Sequence, residues 1–233
     1  MQRQSVESRV MNNAATILAA LDRHLAVRVE LTLYGRAALQ LGFPEPLSEY
    51  AQSMDVDGVL WLGQAEELLH GGNFWAAVDL TNRELAPQGL YISHFFEESQ
   101  LILTSSWRQQ RAPIQGPWNH LCLLRLGDKD LFLTKLMRYD PVDLADAQFI
   151  IDRSGMTRKD IRDLISSACL PDIAEIKEQF ALSSKRFLYL ARNWTMPGNC
   201  CIRRAGAKVM ARSSLCRGGL IAPGNSASAP RGY

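Results

Sequence analysis

Met54-Asp55-Val56-Asp57-Gly58-Val59-Leu60-Trp61-Leu62 sets two carboxylates two residues apart inside an apolar, strand-like run. Side chains alternate across a strand, so Asp55 and Asp57 share a face, about 6 to 7 Å apart along the backbone. Met54, Val56, Leu60 and Leu62 are then expected to face the other way, into a core. A hard cation such as Mg²⁺ takes oxygen ligands, usually one or two carboxylates completed by waters and substrate phosphates. An Asp-x-Asp pair at a strand end suits that role. The same spacing also fits two acids on the wet side of an edge strand.

The preceding segment sharpens the choice. Val27-Arg28-Val29-Glu30-Leu31-Thr32-Leu33-Tyr34 alternates apolar and polar residues, meets Gly35, and continues as Arg36-Ala37-Ala38-Leu39-Gln40-Leu41, which has the pattern of a short helix. A glycine at that corner lets backbone approach a phosphate, and the N–H groups opening the helix can face the anion.

This order of strand, glycine turn, helix and Asp-x-Asp strand resembles nucleotidyltransferases of the DNA polymerase β-like superfamily. More narrowly, the run from Leu33 to about Arg153 resembles a small bacterial group of nucleotidyltransferase-like proteins of unassigned function, related to AbiEii-type toxins of toxin-antitoxin systems. The supporting stretches are Leu33-Tyr34-Gly35-Arg36-Ala37-Ala38-Leu39, Asp55-Val56-Asp57, Asn73-Phe74-Trp75, Ser93-His94-Phe95-Phe96, and Lys135-Leu136 followed by Asp143-Leu144-Ala145-Asp146. The chain departs from the superfamily at Arg36, where a second small residue is usual. That side chain either crowds a triphosphate or gives it a positive contact.

Composition is that of an ordinary globular protein, with 47% hydrophobic and 21% charged residues in 233. The apolar positions Ala14, Ile17, Leu18, Leu21 and Leu25 recur at helical spacing instead of forming one run, so neither a signal peptide nor a membrane span is expected. Five cysteines without paired spacing and four histidines give no zinc pattern, which points to a reducing, cytoplasmic setting. The net charge of +2 hides an asymmetry. Nine of the 26 bases and none of the 24 acids follow Glu178, leaving 17 bases against 24 acids in residues 1–178, net −7. From Asn193 onward periodicity disappears, and this Arg-, Gly- and Ser-rich tail is expected to hold little fixed structure. It fits either an electrostatic grip on nucleic acid or an end without a selected role.

Taken in order, residues 12 to 26 predict an amphipathic helix covering the sheet, and Ser48 to Ser53 a polar approach to the Asp-x-Asp strand. Helices follow over Gln64 to Leu69 and Phe74 to Leu85, with Gly71-Gly72 as stop and restart. Phe74, Trp75, Ala77 and Val78 are read as core. Leu90 to Phe96, Gln100 to Thr104 and His120 to Leu126 read as three strands completing a sheet of about five. Their interiors carry no acid; His94 is the nearest polar candidate, as an orienting imidazole or as a structural residue. After Gly127 the chain turns helical to about Arg192. Asp128 is expected to cap the first helix, Pro141 to open the second, Thr157 to cap a third, and Pro171-Asp172 to open a last one with Ile173, Ile176, Phe180 and Leu188 inside.

The expected fold class is α+β, a small mixed sheet with flanking helices followed by a helical bundle. Residues 1–126 would form the sheet domain, 127–192 the helical subdomain and 193–233 the basic tail. The resemblance implies a Mg²⁺-dependent enzyme that transfers a nucleoside monophosphate from a nucleoside triphosphate. In it Asp55 and Asp57 hold the metal, Gly35, Arg36 and Lys135 meet the triphosphate, and Asp143 or Asp146 is the late acid. From spacing alone Lys135 and Arg138 equally read as answering nearby acids on a solvated face. RNA, a protein or a small molecule could be the acceptor, and an antitoxin the partner. The competing expectation is a non-catalytic descendant that keeps the fold as a binding module.

Overall fold

Alternation from Val29 to Tyr34 forms the central strand β1, whose Leu31 and Leu33 are fully buried. In the computed structural model, which describes residues 12–138 and 140–190, β1 pairs antiparallel with β2 (Asp55–Leu60) and parallel with β5 (Leu121–Arg125). Outside these lie β3 (Tyr91–Glu97), parallel to β2, and β4 (Ala112–Pro113), antiparallel to β5. The order is β3-β2-β1-β5-β4, a five-stranded mixed sheet, and with its helices the protein is α+β.

The helices form where local signals place them. Helix α1 (Asn13–His24) is capped by Asn12, whose side chain accepts from the Ala15 N–H, and buries Ala14, Ile17, Leu18 and Leu21. Helix α2 (Gly35–Gly42) follows β1 without a loop. Helices α3 (Gln64–His70) and α4 (Phe74–Leu85) are separated by Gly71-Gly72, as the sequence predicts. Helix α4 packs against α1 and β3, and Phe74 is core, touching the rings of Trp75 and Phe95 edge-on. After β5 come α5 (Asp128–Lys135), α6 (Pro141–Ser154), α7 (Arg158–Ser167) and α8 (Ala174–Leu190). Asp140 caps α6 with Pro141 in its first turn, and Thr157 and Asp160 form a capping box on α7.

Several expectations are corrected. Residues 100 to 104 form no strand: Glu98–Gln100 is a 3-10 turn, and Leu103 makes one isolated antiparallel bridge with Cys169. Leu101, Ile102 and Leu103 are buried all the same, because an apolar run can fill a core without joining a ladder. The fifth strand is β4, held to the sheet edge where Pro113 needs no N–H partner. The polar approach to β2 contains a 3-10 helix, Ser48–Gln52, which plants Tyr50 in the core and leaves Ser48, Glu49 and Gln52 exposed. Met54, Leu62 and Ile173, expected inside, are 44%, 73% and 40% exposed. Asp128 does not cap α5; Gly127 takes that place and Asp128 pairs with Arg125 at 2.7 Å.

One hydrophobic cluster runs from Ala14 to Phe187, so the sheet and the later helices share a core. The tail expected over 193–233 lies outside the described residues. No helix among the described residues is long and apolar enough to cross a membrane.

Candidate active site

The C-terminal end of β1, the start of β2 and the middle of β3 converge with the end of α5 on a cleft of about 650 Å³. Gly35, Arg36, Asp55, Asp57, Lys135 and Asp143 line it, so six of the seven residues singled out in the sequence meet there. Asp146 is fully buried behind the wall. The cleft also takes in Tyr34, Ser53, Tyr91, Ser93, His94, Phe96 and Arg138.

Asp55 and Asp57 lie on one face of β2, as alternation requires, with Val56 buried on the other. Ser53 donates to Asp55 at 3.2 Å. Asp57 receives a short hydrogen bond from Ser93. That contact depends on a register shift: β3 carries one extra residue between the pairs Val56–Ile92 and Gly58–Phe95, opposite Asp57. A bulge re-aims side chains. Here it lets the consecutive Ser93 and His94 both border the cleft, with Ser93 bonded to the acid and His94 tilted against the Phe96 ring.

Gly35 is the second fixed point. Its φ of +69° is a left-handed conformation that favours glycine, and a Cβ there would stand 3.2 Å from Asp57 Oδ2. The glycine corner and the acid therefore abut. Burial raises the Asp57 pKa, Ser93 opposes the shift, and the charge of Asp55 adds to it. Burial, reinforced by the charges of Asp57 and Asp55, also lifts the Tyr34 phenol well above its ordinary range.

Across the cleft the charges are already matched. Lys135 Nζ is 2.7 Å from Asp146 Oδ2 and 3.2 Å from Asp143 Oδ1. Arg138 holds Asp143 through Nε at 2.8 Å and Nη2 at 3.2 Å. Arg36 pairs with Asp146 at 3.2 Å and Glu49 at 3.6 Å, not with the two strand acids, and its guanidinium lies 5.4 Å from the Tyr50 ring centre. Lys135 and Arg138 do answer nearby acids, but Lys135, Asp143 and Asp146 form a buried network, not the solvated face that spacing allows. All the ion pairs of the cleft lie on this side; among the described residues Asp55 and Asp57 enter none.

Two neighbouring hard carboxylates facing open space fit a divalent cation completed by waters and ligand oxygens. They do not amount to a closed protein cage: among the described residues no group of three or more His, Cys, Asp or Glu side chains gathers around one point. Sequence reading missed Ser53, although it stands two residues before Asp55, and gave Ser93 no role, because its contact with Asp57 depends on the bulge and on the β2–β3 pairing. It missed Tyr34 as a wall of the cleft, although the residue sits directly before Gly35. Comparison with protein-family models, with curated proteins and with solved structures finds no match.

Proposed function

We propose that this protein is a Mg²⁺-dependent nucleotidyltransferase with a polymerase β-like fold, moving a nucleoside monophosphate from a nucleoside triphosphate to an acceptor hydroxyl. The observation that carries this reading is the contact between the glycine corner and Asp57, beside Asp55, at the mouth of a cleft of about 650 Å³. Asp55 and Asp57 would hold the metal, whose charge, when bound, offsets that of the phosphate oxygens. Ser53 and Ser93 fix the carboxylates that meet it. The opening turn of α2 has no acidic residue and no side-chain cap, so its N–H groups at the Gly35 corner are suited to an anion. Lys135, which the family resemblance sets on the triphosphate, is here the counter-charge to the buried Asp143 and Asp146.

Transfer is an in-line displacement: the acceptor oxygen bonds the α-phosphorus, the bridge to the β-phosphate breaks, pyrophosphate leaves and the hydroxyl proton passes to solvent. Such a reaction asks for positioning and charge neutralisation more than covalent chemistry. A cytoplasmic setting agrees with Cys122 and Cys169 being free thiols.

A second reading, a non-catalytic binding module on the same fold, is favoured by one observation: Arg36 and Lys135 spend their charge on internal acids. Calorimetry of Mg²⁺ with each common nucleoside triphosphate separates the two. The enzyme binds, and Asp57→Ala does not. No heat in the wild type removes the enzyme and leaves the module, for instance a toxin-antitoxin component acting through a protein partner. Labelled triphosphate incubated with cell RNA and lysate then identifies the acceptor as RNA, protein or small molecule.

A further inference from the structure

Three side chains with permanent positive charge line the cleft among the described residues, Arg36, Lys135 and Arg138, and they differ in what holds them. Lys135 is buried between two carboxylates, and releasing it would strand both. Arg36 is 30% exposed, but Asp146, Glu49 and the Tyr50 ring fix it. Arg138 is different. Its side chain is 75% exposed while its partner Asp143 is 3% exposed, and that partner keeps Lys135 as a second cation at 3.2 Å.

An arginine in this position can leave its carboxylate without stranding a charge. Its backbone, in the link between α5 and α6, is pinned by the buried Ser183 of α8, whose Oγ donates to the Arg138 carbonyl at 3.2 Å. The side chain can therefore swing from a fixed root. Arg138 lines the same cleft as Tyr34, Asp55 and Asp57. A planar guanidinium that already grips Asp143 through two nitrogens presents the same fork to a phosphate.

We infer that Arg138 is the polyphosphate contact of this cleft, exchanging Asp143 for the phosphate chain of the ligand while Lys135 stays behind to neutralise Asp143. This deepens the nucleotidyltransferase proposal and rests on it for the nucleoside, not for the phosphates. Lys135 becomes a positioning residue, and Arg138 the residue that selects a polyanion.

The test is calorimetry on the full chain with Mg²⁺ and either inorganic tripolyphosphate or ATP, for wild type, Arg138→Gln and Arg138→Lys. Glutamine can still donate to Asp143, so its melting temperature should stay within about 2 °C of wild type. Its affinity for tripolyphosphate should fall by about tenfold or more. Arg138→Lys keeps the charge without the planar fork and should recover part of that loss; a glutamine variant that melts well below that range would trace its lost affinity to a disturbed Asp143 and overturn the inference. Equal binding by wild type and Arg138→Gln overturns it too, while leaving the nucleotidyltransferase intact. Arg138-dependent binding of tripolyphosphate without any binding of nucleotide supports the inference and ends the nucleotide reading. No binding of either ligand by the wild type ends both.

Discussion

Asp57 is a carboxylate under constraint, with Gly35 against one oxygen and Ser93 bonded to the other. Its pKa stands above the ordinary 3.8, chiefly through burial. Ionising it therefore costs the folded state more than the unfolded one. Below the ordinary value both states are protonated and the cost is absent; it grows as pH rises from there to the raised native value and is complete above that. Asp57→Asn keeps the Ser93 hydrogen bond and removes the charge. Without metal the variant should melt higher than wild type at pH 7, the gap should close below pH 3.8, and the rise in melting temperature given by Mg²⁺ should vanish. A wild type no less stable than Asp57→Asn at pH 7 would contradict a strained acid. Trading stability for a pre-formed charge is common at binding sites. The Asp-x-Asp spacing was plain in the sequence, whereas the neighbours that give Asp57 its character come from a different strand and a backbone corner.

Among the elements, α1 and β5 are joined by one side chain. Asp22, near the end of α1 and 4% exposed, accepts from the backbone N–H groups of Asn119, His120 and Leu121 at 2.9, 2.8 and 2.8 Å. Burial alone would raise its pKa; the three backbone donors outweigh burial and hold it below 3.8. This stabilisation is fully present above 3.8 and is lost as pH falls through the depressed native value. Asp22→Asn turns an amide group toward N–H donors and should cost about 2–3 kcal/mol at pH 7 by urea unfolding. The difference from wild type should shrink in acid. Helix starts were legible beforehand near residue 12, at Pro141 and at Thr157, because a first turn and the residue before it are neighbours in sequence, whereas Asp128 turned to Arg125 instead of capping. Strands fared less evenly. Leu101 to Leu103 has strand composition but no adjacent strand to pair with over its length, and the two residues of β4 carry no periodicity at all.

Across the whole molecule, the buried Lys135 of α5 and Asp143 and Asp146 of α6, with the part-exposed Arg36 of α2, make one polar junction between the sheet side of the core and the later helices. Burying ions is costly, and removing one partner leaves the other uncompensated. Lys135→Met should thus lower stability by about 3–5 kcal/mol. Lys135→Met combined with Asp146→Asn should recover part of that loss, because the amide no longer needs a cation. Urea midpoints of the single and double variants check both, and a double variant weaker by the full sum of its parts would show that the residues do not act together.

The helices, the strands around Val29–Tyr34, Asp55–Leu60, Tyr91–Glu97 and Leu121–Arg125, the shared face of Asp55 and Asp57 and a glycine turn after β1 were settled by the sequence itself, since each depends on side-chain spacing along a few consecutive residues. Which charges meet was decided only in three dimensions. Lys135 and Asp146 lie 2.7 Å apart, and Arg36 reaches Asp146 across 110 positions. No local pattern records that pairing, because it arises where α2, α5 and α6 close on one another and the only way to bury those carboxylates is to bury their cations with them.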